Sequence, residues 1–187
     1  DYQRSRGLGD VYKRQDYNTM VILDNFLNEI VRVNFNNLKD PNEISNVSSS
    51  NENTMWVFDQ LSMKIKKFDY IENSFVKGIE VLLKENIIDM NSNYNFLWVL
   101  TKNHFYMINY NGTIISESKN LGFNKVNFFK NNLLLTGSNN IYLFNIEDFT
   151  FQKINSEKLF IKDFFVINET LYIYDEDFLN KYLILTN

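Results

Sequence analysis

The chain has 187 residues, of which 44% are hydrophobic and 16% aromatic, and it carries a formal net charge of −4. This apolar content is enough for one globular domain of about 100 to 200 residues. Cysteine is absent and His104 is the only histidine, which excludes disulfide scaffolds, thiolate metal sites and cysteine nucleophiles. Asn, Asp, Glu or Lys interrupts every apolar run well before the roughly 18 residues of a transmembrane helix, so no transmembrane segment is expected.

The charge distribution argues against nucleic acid as a partner. Basic residues are concentrated in the first fifteen positions, and most of the other lysines stand singly among Asn and Glu. Neutralising a phosphate backbone requires Lys and Arg clustered in a patch or stripe. The sequence shows no such cluster, so we expect no nucleic-acid partner.

The first fifteen residues, DYQRSRGLGDVYKRQ, look foreign to the rest of the chain. They lack the apolar core and the small-residue cleavage site of a signal peptide. From Gly7 to Gln15 they resemble a peptide found at the ends of open reading frames in assembled environmental sequence, where adapter-derived bases are translated. We expect a foreign or disordered segment over residues 1–15 and a folded domain over residues 16–187. The native N-terminus and any export signal would then lie upstream.

A repeat runs through the folded part. Asn18-Thr19-Met20 and Asn53-Thr54-Met55 each open an apolar segment that ends in Asp, and weaker copies follow at intervals of about 35 to 42 residues. The five copies occupy residues 18–24, 53–59, 95–101, 131–137 and 169–175. Each is followed by a turn and a second apolar segment, at residues 30–33, 65–68, 105–108, 141–144 and 182–185. This spacing predicts five hairpins in series.

Further strands flank the hairpins. Asn34, Asp69, Asn109 and Asn145 follow the second segments, and Asn111-Gly112 is a strong turn signal in which both central residues are expected at positive φ. A third strand is predicted at residues 113–115. Another apolar segment precedes each hairpin from the second copy onward, at residues 44–47, 87–90, 126–129 and 161–166. Four short strands per unit and a period near 40 are typical of a β-propeller blade.

The side-chain pattern supports the propeller. In the second copy Met55 and Val57 alternate with Trp56 and Phe58, so both faces of the strand are apolar, as in a blade enclosed by its neighbours. Trp56, Trp98 and Tyr172 share one repeat position with Val21 and Leu134. We interpret this column as packing between blades, with a cofactor-binding box as the alternative.

The spacings Asp24-x5-Ile30 and Asp59-x5-Ile65 resemble the repeat of NHL-type propellers, which are commonly six-bladed. The third and fourth copies have Thr101 and Gly137 in place of the aspartate. The asparagine-rich hairpins are also similar to those of uncharacterised propeller-like proteins of Bacteroidetes. The resemblance implies a propeller fold that presents surfaces for binding.

The repeat predicts an all-β fold, a β-propeller. At a period near 40, residues 16–187 amount to four to five blades, so we expect an incomplete open arc. The first copy is expected to lack its inner strand and the last its outer strand. Each terminal blade would then leave an apolar face uncovered, around Val21 at one end and Tyr172 at the other. We therefore expect the chain to self-associate, with residues 1–15 unpacked.

Two sets of polar residues are candidate sites. Each inner strand carries one Asn or Asp, and together these could form a ring of oxygen ligands for calcium around a central channel that is otherwise water-filled. The members of this ring are Asn46, Asp89, Asn127 and Asp163. Asp24, Asp59 and Asp175, at hairpin tips, either bind a partner's basic groups or satisfy turn backbone. His104 is expected to be an exposed turn residue, and no cofactor other than calcium is expected.

These features favour a non-catalytic binding or scaffold module whose ligand, a protein or a carbohydrate, the sequence does not identify. The alternative is a propeller enzyme, such as a metal-dependent lactonase or sugar hydrolase, with its site at the channel mouth. That enzyme needs at least three converging oxygen ligands and a base, which only the inner-strand ring could supply. The cysteine-free, asparagine-rich composition fits a cell-envelope or periplasmic location better than a cytosolic one.

Overall fold

The computed structural model describes the backbone of residues 2–6, 10–14, 17–24, 26–129, 132–137, 139–154, 159–167 and 170–184, with side chains from Tyr17 onward. Apart from 3₁₀ structure at Tyr17 and at Phe35–Asn37, their regular structure is β-strand. No helix in these ranges is long and apolar enough to cross a membrane. The strands are β1 Tyr2–Arg6, β2 Asp10–Arg14, β3 Thr19–Leu23, β4 Glu29–Asn34, β5 Ile44–Ser49, β6 Thr54–Asp59, β7 Lys64–Asp69, β8 Ser74–Leu82, β9 Ile87–Ser92, β10 Phe96–Thr101, β11 His104–Asn109, β12 Ile114–Lys119, β13 Lys125–Phe129, β14 Asn132–Gly137, β15 Asn140–Asn145, β16 Thr150–Lys153, β17 Asp163–Ile167, β18 Thr170–Tyr174 and β19 Leu179–Leu183.

The strands form antiparallel sheets in which chain neighbours pair, the meander of a propeller blade. Residues Asp1–Asn120 form one compact unit, which holds sheet 1 (β1 to β4), sheet 2 (β5 to β8) and sheet 3 (β9 to β12). Residues Leu121–Asn187 form a second unit, which holds sheet 4 (β13 to β16) and sheet 5 (β17 to β19). As predicted, sheet 5 has no fourth strand within the described part of the chain.

The predicted repeat matches the observed strands. The five copies lie on β3, β6, β10, β14 and β18, and their second segments lie on β4, β7, β11, β15 and β19. The predicted inner segments form β5, β9, β13 and β17, and the predicted third strand forms β12. β19, at Leu179–Leu183, begins before the expected segment at residues 182–185.

Strand β6 is buried on both faces, as its alternation predicts. Met55 and Val57 belong to a core cluster between sheets 1 and 2, and Trp56 and Phe58 belong to a second cluster between sheets 2 and 3. Full burial of such side chains stabilises a fold by about 1.5 to 3 kcal/mol each. The other buried members of the first cluster are Met20, Ile22, Val33, Phe35, Ile44, Val47 and Phe68. Those of the second are Ile65, Val81, Leu83, Met90, Leu97, Val99, Tyr106 and Ile108.

The second unit repeats this packing between sheets 4 and 5. Leu134 of β14 is fully buried in a cluster with residues of β13, β15, β17 and β18. Its position in the repeat is the one that Trp56 occupies in β6. Both residues therefore pack between sheets, as the sequence predicts for this column. The other buried members of the cluster are Phe129, Ile141, Phe164, Leu171 and Ile173.

The N-terminal residues differ from the expectation that they stay unpacked. The backbone of β2 pairs with β3, from Arg14 opposite Thr19 to Asp10 opposite Leu23, and β1 pairs with β2. Sheet 1 therefore has a strand in the inner position that the sequence analysis leaves empty. The physical reason is that an unpaired edge of β3 would expose a row of backbone N–H and C=O groups, which any extended segment can satisfy. The foreign origin of residues 1–15 and the domain boundary at residue 16 stay predictions.

The Asn or Asp after each second segment holds the following turn, as expected for an asparagine-rich chain. In each case the side-chain oxygen accepts a hydrogen bond from a backbone N–H two residues further on, which is an Asx turn. The pairs are Asn34 with Asn36, Asp69 with Ile71, Asn109 with Asn111, and Asn145 with Glu147, at 2.9 to 3.0 Å.

The Asn111-Gly112 turn differs in one detail from the prediction. Gly112 has a φ of +81°, but Asn111 is not among the residues with positive φ. Asn109 explains the difference, because its side chain accepts from the backbone N–H of both Asn111 and Thr113. With these two hydrogen bonds, only the glycine of this turn lies in the left-handed region.

Gly137, at the end of β14, illustrates a second requirement for glycine. A Cβ at this position would lie 2.1 Å from the carbonyl oxygen of Gly122 and 2.9 Å from the Cα of Phe123. Because these are backbone atoms, no side-chain movement relieves the clash. We expect Gly137→Ala to lower the free energy of unfolding by about 3 kcal/mol, as overpacking does, measured by urea denaturation.

Gly78→Ala provides the control. Gly78 has a φ of +78° and nothing within 4 Å of its would-be Cβ, so this substitution should cost only the backbone strain of about 1 kcal/mol. An unfolding free energy of Gly137→Ala equal to that of the wild type would contradict the close approach between the end of β14 and the segment before β13.

Candidate functional site

Asp59, one of the three predicted hairpin-tip aspartates, is completely buried. Its Oδ1 accepts hydrogen bonds from the backbone N–H of Glu43 at 2.9 Å and of Leu61 at 3.2 Å. Its Oδ2 accepts from Ser62 Oγ at 2.6 Å and Lys66 Nζ at 2.8 Å. The carboxylate thus joins the β6–β7 hairpin to the connection before β5. Since it has no exposed surface, a partner cannot reach it.

Burial of the Asp59 carboxyl by itself raises its pKa, but the hydrogen bonds from Glu43, Lys66 and Ser62 outweigh burial and hold the pKa below its ordinary value. The group is therefore ionised at neutral pH. Its negative charge compensates the ammonium group of Lys66, which is itself mostly buried.

Asp24 and Asp175 hold their hairpins in the same way. Asp24 Oδ1 accepts from the backbone N–H of Phe26 and of Asn28, both at 2.8 Å, and Oδ2 accepts from Asn28 Nδ2. Asp175 accepts from the backbone of residues 177 and 178 and from Asn180 Nδ2. The pKa of Asp24 is lowered, first by the side-chain hydrogen bond from Asn28. The pKa of Asp175 is lowered, first by the backbone hydrogen bond from Phe178.

The turns that these aspartates hold present apolar side chains to solvent. Phe26 is 85% exposed and Leu27 is 64% exposed at the tip of the β3–β4 hairpin, and Leu61 is exposed at the tip of the β6–β7 hairpin. Phe178 has the corresponding place in sheet 5. The sequence leaves two roles open for these aspartates, contact with a partner's basic groups or support of turn backbone. Their hydrogen bonds in the structure are those of the second role, and the side chains exposed at the tips are apolar.

Three of the four residues of the predicted inner-strand ring occupy equivalent positions in their sheets. Asn46, Asp89 and Asp163 pair with Phe58, Leu100 and Tyr174, which share one repeat position. Asn127 pairs instead with Leu134. Lys125 takes the equivalent position in sheet 4, where it pairs with Thr136.

The contacts around this ring are those of a polar network. Lys125 Nζ lies 2.7 Å from Asp163 Oδ1, so within the second unit an ammonium group already compensates this carboxylate. Asn46 accepts from Ser45 Oγ, and Asn127 donates to the carbonyl of Phe164. In the described ranges, no group of three or more His, Cys, Asp or Glu side chains is arranged to hold a metal ion. The calcium ring stays a prediction.

His104 has partners that the sequence analysis missed. It opens β11, and its Nδ1 lies 2.8 Å from Oε1 of Glu85, in the β8–β9 connection. Glu85 Oε2 also accepts from the backbone and side-chain nitrogens of Asn103, both at 3.0 Å. On the other side of the ring, His104 Nε2 lies 3.6 Å from Oε1 of Glu117. Glu85 and His104 are 19 positions apart, and no local spacing pattern links them.

The histidine cluster borders an open cleft of about 530 Å³, lined by Asn103, His104, Glu117, Ser118 and Lys119. Burial of the Glu85 carboxyl raises its pKa, but the hydrogen bonds from His104 and Asn103 outweigh burial and lower the pKa overall. The pKa of Tyr106 is raised, first by burial and then by the charges of Glu117 and Glu85. At neutral pH Glu85 is therefore ionised and Tyr106 is protonated.

Lys67 is the other titratable group that the sequence did not single out. It is only 4% exposed, and its Nζ donates to Asn51 Oδ1 at 2.8 Å and to the carbonyl of Tyr110 at 3.0 Å. The ammonium group also lies 5.0 Å from the ring centroid of Trp56. Burial lowers its pKa. These contacts fasten the β11–β12 turn of sheet 3 to sheet 2.

Comparison with solved structures identifies the fold. The chain aligns over 98% of its length with Hsv2 of Kluyveromyces lactis, with a TM-score of 0.70 and 10% identity, and covers 60% of that protein. It aligns with the WD40 repeats of RRP9 at a TM-score of 0.69 and 9% identity, over 100% of this chain and 64% of that one. It aligns with virginiamycin B lyase of Staphylococcus aureus at 0.65 and 13%, over 91% and 60%.

These similarities establish the fold class and nothing finer. The predicted all-β propeller architecture is confirmed, and the chain spans about 60% of the length of the propellers it matches, as expected for part of a propeller. The NHL-type and Bacteroidetes resemblances stay predictions. No protein-family model and no curated protein matches the sequence. A WD40 protein and a lyase share the architecture, so the fold alone does not separate binding from catalysis.

The network around Asp59 predicts a pH-dependent loss of stability. Asp59→Asn should lower the free energy of unfolding by about 3 kcal/mol at pH 7, because Lys66 would lose its counter-charge in a mostly buried position. The folded-state pKa of Asp59 lies below the unfolded value of about 3.9, so its contribution is present at neutral pH and is lost as the pH falls below about 4. The difference between variant and wild type in urea denaturation should shrink over that range.

Asp69→Asn is the matched control. Asp69 accepts only backbone hydrogen bonds, from Ile71 and Glu72 among its recorded contacts, and an amide oxygen can accept both. We expect a change within about 0.5 kcal/mol. Equal losses in the two variants would show that Asp59 has no special electrostatic role.

Proposed function

We propose that this chain is part of a non-catalytic propeller that binds a protein partner through the hairpin tips of sheets 1 and 2. The observation that carries the proposal is the exposure of Phe26 and Leu27 in a turn that the Asp24 carboxylate holds by accepting three hydrogen bonds. Large apolar side chains cost free energy in water. A turn that holds them outward is explained by a partner that covers them.

The rigidity of these tips favours binding. Protein interfaces derive most of their affinity from a few large side chains that are buried on association. Fixing such residues in place beforehand reduces the conformational entropy that is lost on binding. Asp24 fixes Phe26, and the buried Asp59 fixes Leu61 in the same way. An apolar surface of this kind suits a protein partner better than a carbohydrate.

The enzymatic alternative requires converging oxygen ligands and a free base near the channel. The closest contact at the predicted ring positions of the second unit is an ion pair between Lys125 and Asp163, in which the carboxylate is already engaged. The geometry therefore favours the binding module. The competing hypothesis is a lactonase or sugar hydrolase, and an activity assay tests it.

Site-specific photo-crosslinking in the native cell tests the proposal. A benzophenone amino acid at Leu27 should give a discrete crosslinked species that excess unlabelled protein competes away. Ile71 provides the control position, because it is 59% exposed and lies in a turn held by Asp69, at the opposite end of its sheet. We expect no such species from Ile71.

Equal crosslinking from Leu27 and Ile71 would contradict a partner that binds only at the proposed hairpin tips. Reproducible turnover of lactone or glycoside substrates by purified protein, abolished by Asp163→Asn, would favour the enzyme.

We further propose that the open face of sheet 5 associates with a second copy of the chain. One face of this sheet packs into the core of the second unit through Phe164, Leu171 and Ile173. On the opposite face the ring of Tyr172 stacks on that of Phe165 at 4.9 Å, and Lys181, which pairs with Tyr172, lies between Leu179 and Leu183. The exposed apolar side chains of this face are Phe165, Ile167, Tyr174, Leu179 and Leu183. Exposed apolar side chains grouped on one face promote association.

Light scattering measures this association directly. The wild-type chain should show a concentration-dependent mass above 22.3 kDa, and the double variant Leu179→Lys/Leu183→Lys should have the monomer mass, because two charges would be buried at the interface. Leu121→Lys is the matched control, since Leu121 is similarly exposed outside this face. A wild-type monomer at all concentrations, or equal effects of both variants, would contradict the proposal.

A further inference from the structure

Sheet 1 has no strand at the outer position that the neighbouring sheets fill. In sheets 2 and 3, β7 and β11 each pair on their far side with an outer strand, β8 or β12. In sheet 1 the chain passes from β4 through the 3₁₀ turn to β5, and within the described residues β4 pairs with β3 alone. Alternate residues of β4 therefore direct backbone N–H and C=O groups away from the sheet, as on any open edge.

The side chains of β4 are also uncovered. Ile30 lies four residues before the turn residue Asn34 and is 54% exposed. The residues with the same spacing in sheets 2, 3 and 4 are buried, namely Ile65, Phe105 and Ile141. Along the chain, this exposed edge continues into Phe26 and Leu27, the hairpin tip on which the proposed function depends.

We propose that the protein partner supplies an extended strand that pairs with β4 and fills the outer position of sheet 1, an inference that rests on the proposed function. A strand added to an open sheet edge gains affinity from backbone hydrogen bonds and specificity from its alternate side chains. Ile30 and the tip residues Phe26 and Leu27 provide apolar contacts beside the same edge. The partner is therefore recognised through a linear segment.

Strand β8 indicates what such a segment presents to its neighbour. It runs antiparallel to β7, and the ring of Phe75 packs on that of Phe68 with the centroids 5.3 Å apart. Near the other end of β8, Glu80 Oε2 lies 2.5 Å from the Nζ of Lys64, the first residue of β7. The outer strand of sheet 2 thus contributes one large apolar residue and one acidic residue.

The charge at the second of these positions is reversed in sheet 1. Val33 takes the place of Phe68, but Glu29, the first residue of β4, takes the place of Lys64. Glu29 forms an ion pair with Arg32, and a pair that is so exposed contributes little stability. Opposite charges on adjacent strands stabilise a sheet, whereas like charges destabilise it. The expected segment is therefore antiparallel to β4, apolar opposite Val33 and basic near Glu29.

A peptide with the sequence of β8, Ser74–Leu82, and the substitution Glu80→Lys is the probe, and the unchanged peptide is its comparison. The Lys peptide should slow hydrogen exchange of β4 amides and bind about two- to fivefold more tightly than the Glu peptide. The chain variant Glu29→Lys should reverse this order. Glu72→Lys, at an exposed position in the β7–β8 turn, is the matched control and should keep the wild-type order.

Methylation of the peptide backbone separates strand pairing from apolar adhesion. An N-methyl group placed at each position in turn should weaken binding by at least about tenfold where the N–H faces β4, and little at the positions between. This period of two is specific to an added strand. Equal effects at all positions, or unchanged exchange of the β4 amides at millimolar peptide, would overturn the proposal.

The crosslink from Leu27 distinguishes this inference from the proposed function. Displacement of the crosslinked partner by the Lys peptide would support both. A crosslink that persists while the peptide occupies β4 would keep the protein interface and overturn strand addition. No crosslink, together with period-two binding at β4, would contradict the proposed interface and support strand addition. Protection of β4 that rises with protein concentration without peptide would assign the edge to a second copy and overturn the proposal.

Discussion

Burial of one strand on both of its faces is the constraint on which the rest of the structure depends. In β6, Met55 and Val57 pack toward sheet 1 while Trp56 and Phe58 pack toward sheet 3. A strand with two apolar faces cannot be satisfied by its own sheet, because it needs a second layer on each side. The repeat of this pattern therefore produces sheets that pack face to face within each unit, sheets 1 to 3 in the first and sheets 4 and 5 in the second.

Polar residues at the ends of the strands stabilise the turns that connect them. Asn and Asp at the strand ends accept hydrogen bonds from backbone N–H groups that the ladders leave free, so the chain forms its turns with few glycines. The glycines that remain have specific duties, such as positive φ at Gly112 and the close approach at Gly137. Asp59 combines a turn with a mostly buried ion pair to Lys66. Lys67 uses a buried ammonium group to join two sheets.

Much of this was predictable from the sequence, because the controlling signals are local. Alternation identified the strands, and the two-faced alternation of Trp56 and Phe58 with Met55 and Val57 identified the enclosed position. Asn34, Asp69, Asn109 and Asn145 indicated the turns. The contacts that could not be predicted join residues far apart in the chain. His104 meets Glu85 only after the chain between them has folded, and the register of an inner-strand residue such as Asn46 is fixed only by its pairing with β6.

The functional predictions illustrate the same limit. Aspartates at hairpin tips are visible in a sequence, but whether they face a partner or their own backbone depends on geometry. In the structure Asp24 and Asp59 face their own turns, and the exposed groups are their apolar neighbours. Lys67 occurs in the polar-looking stretch Lys66-Lys67 and is nevertheless buried against Trp56. Charge alone did not reveal its surroundings.

Hydrogen–deuterium exchange measures the central claim most directly, because it reports the local stability of each strand. If burial on two faces holds the fold together, the amides of β6 and β10 should exchange most slowly, near the rate set by global unfolding. Amides of the outer strands β8 and β12, which are half exposed, should exchange much faster. Uniform protection across all four strands of sheets 2 and 3, or slower exchange in β8 than in β6, would contradict this account.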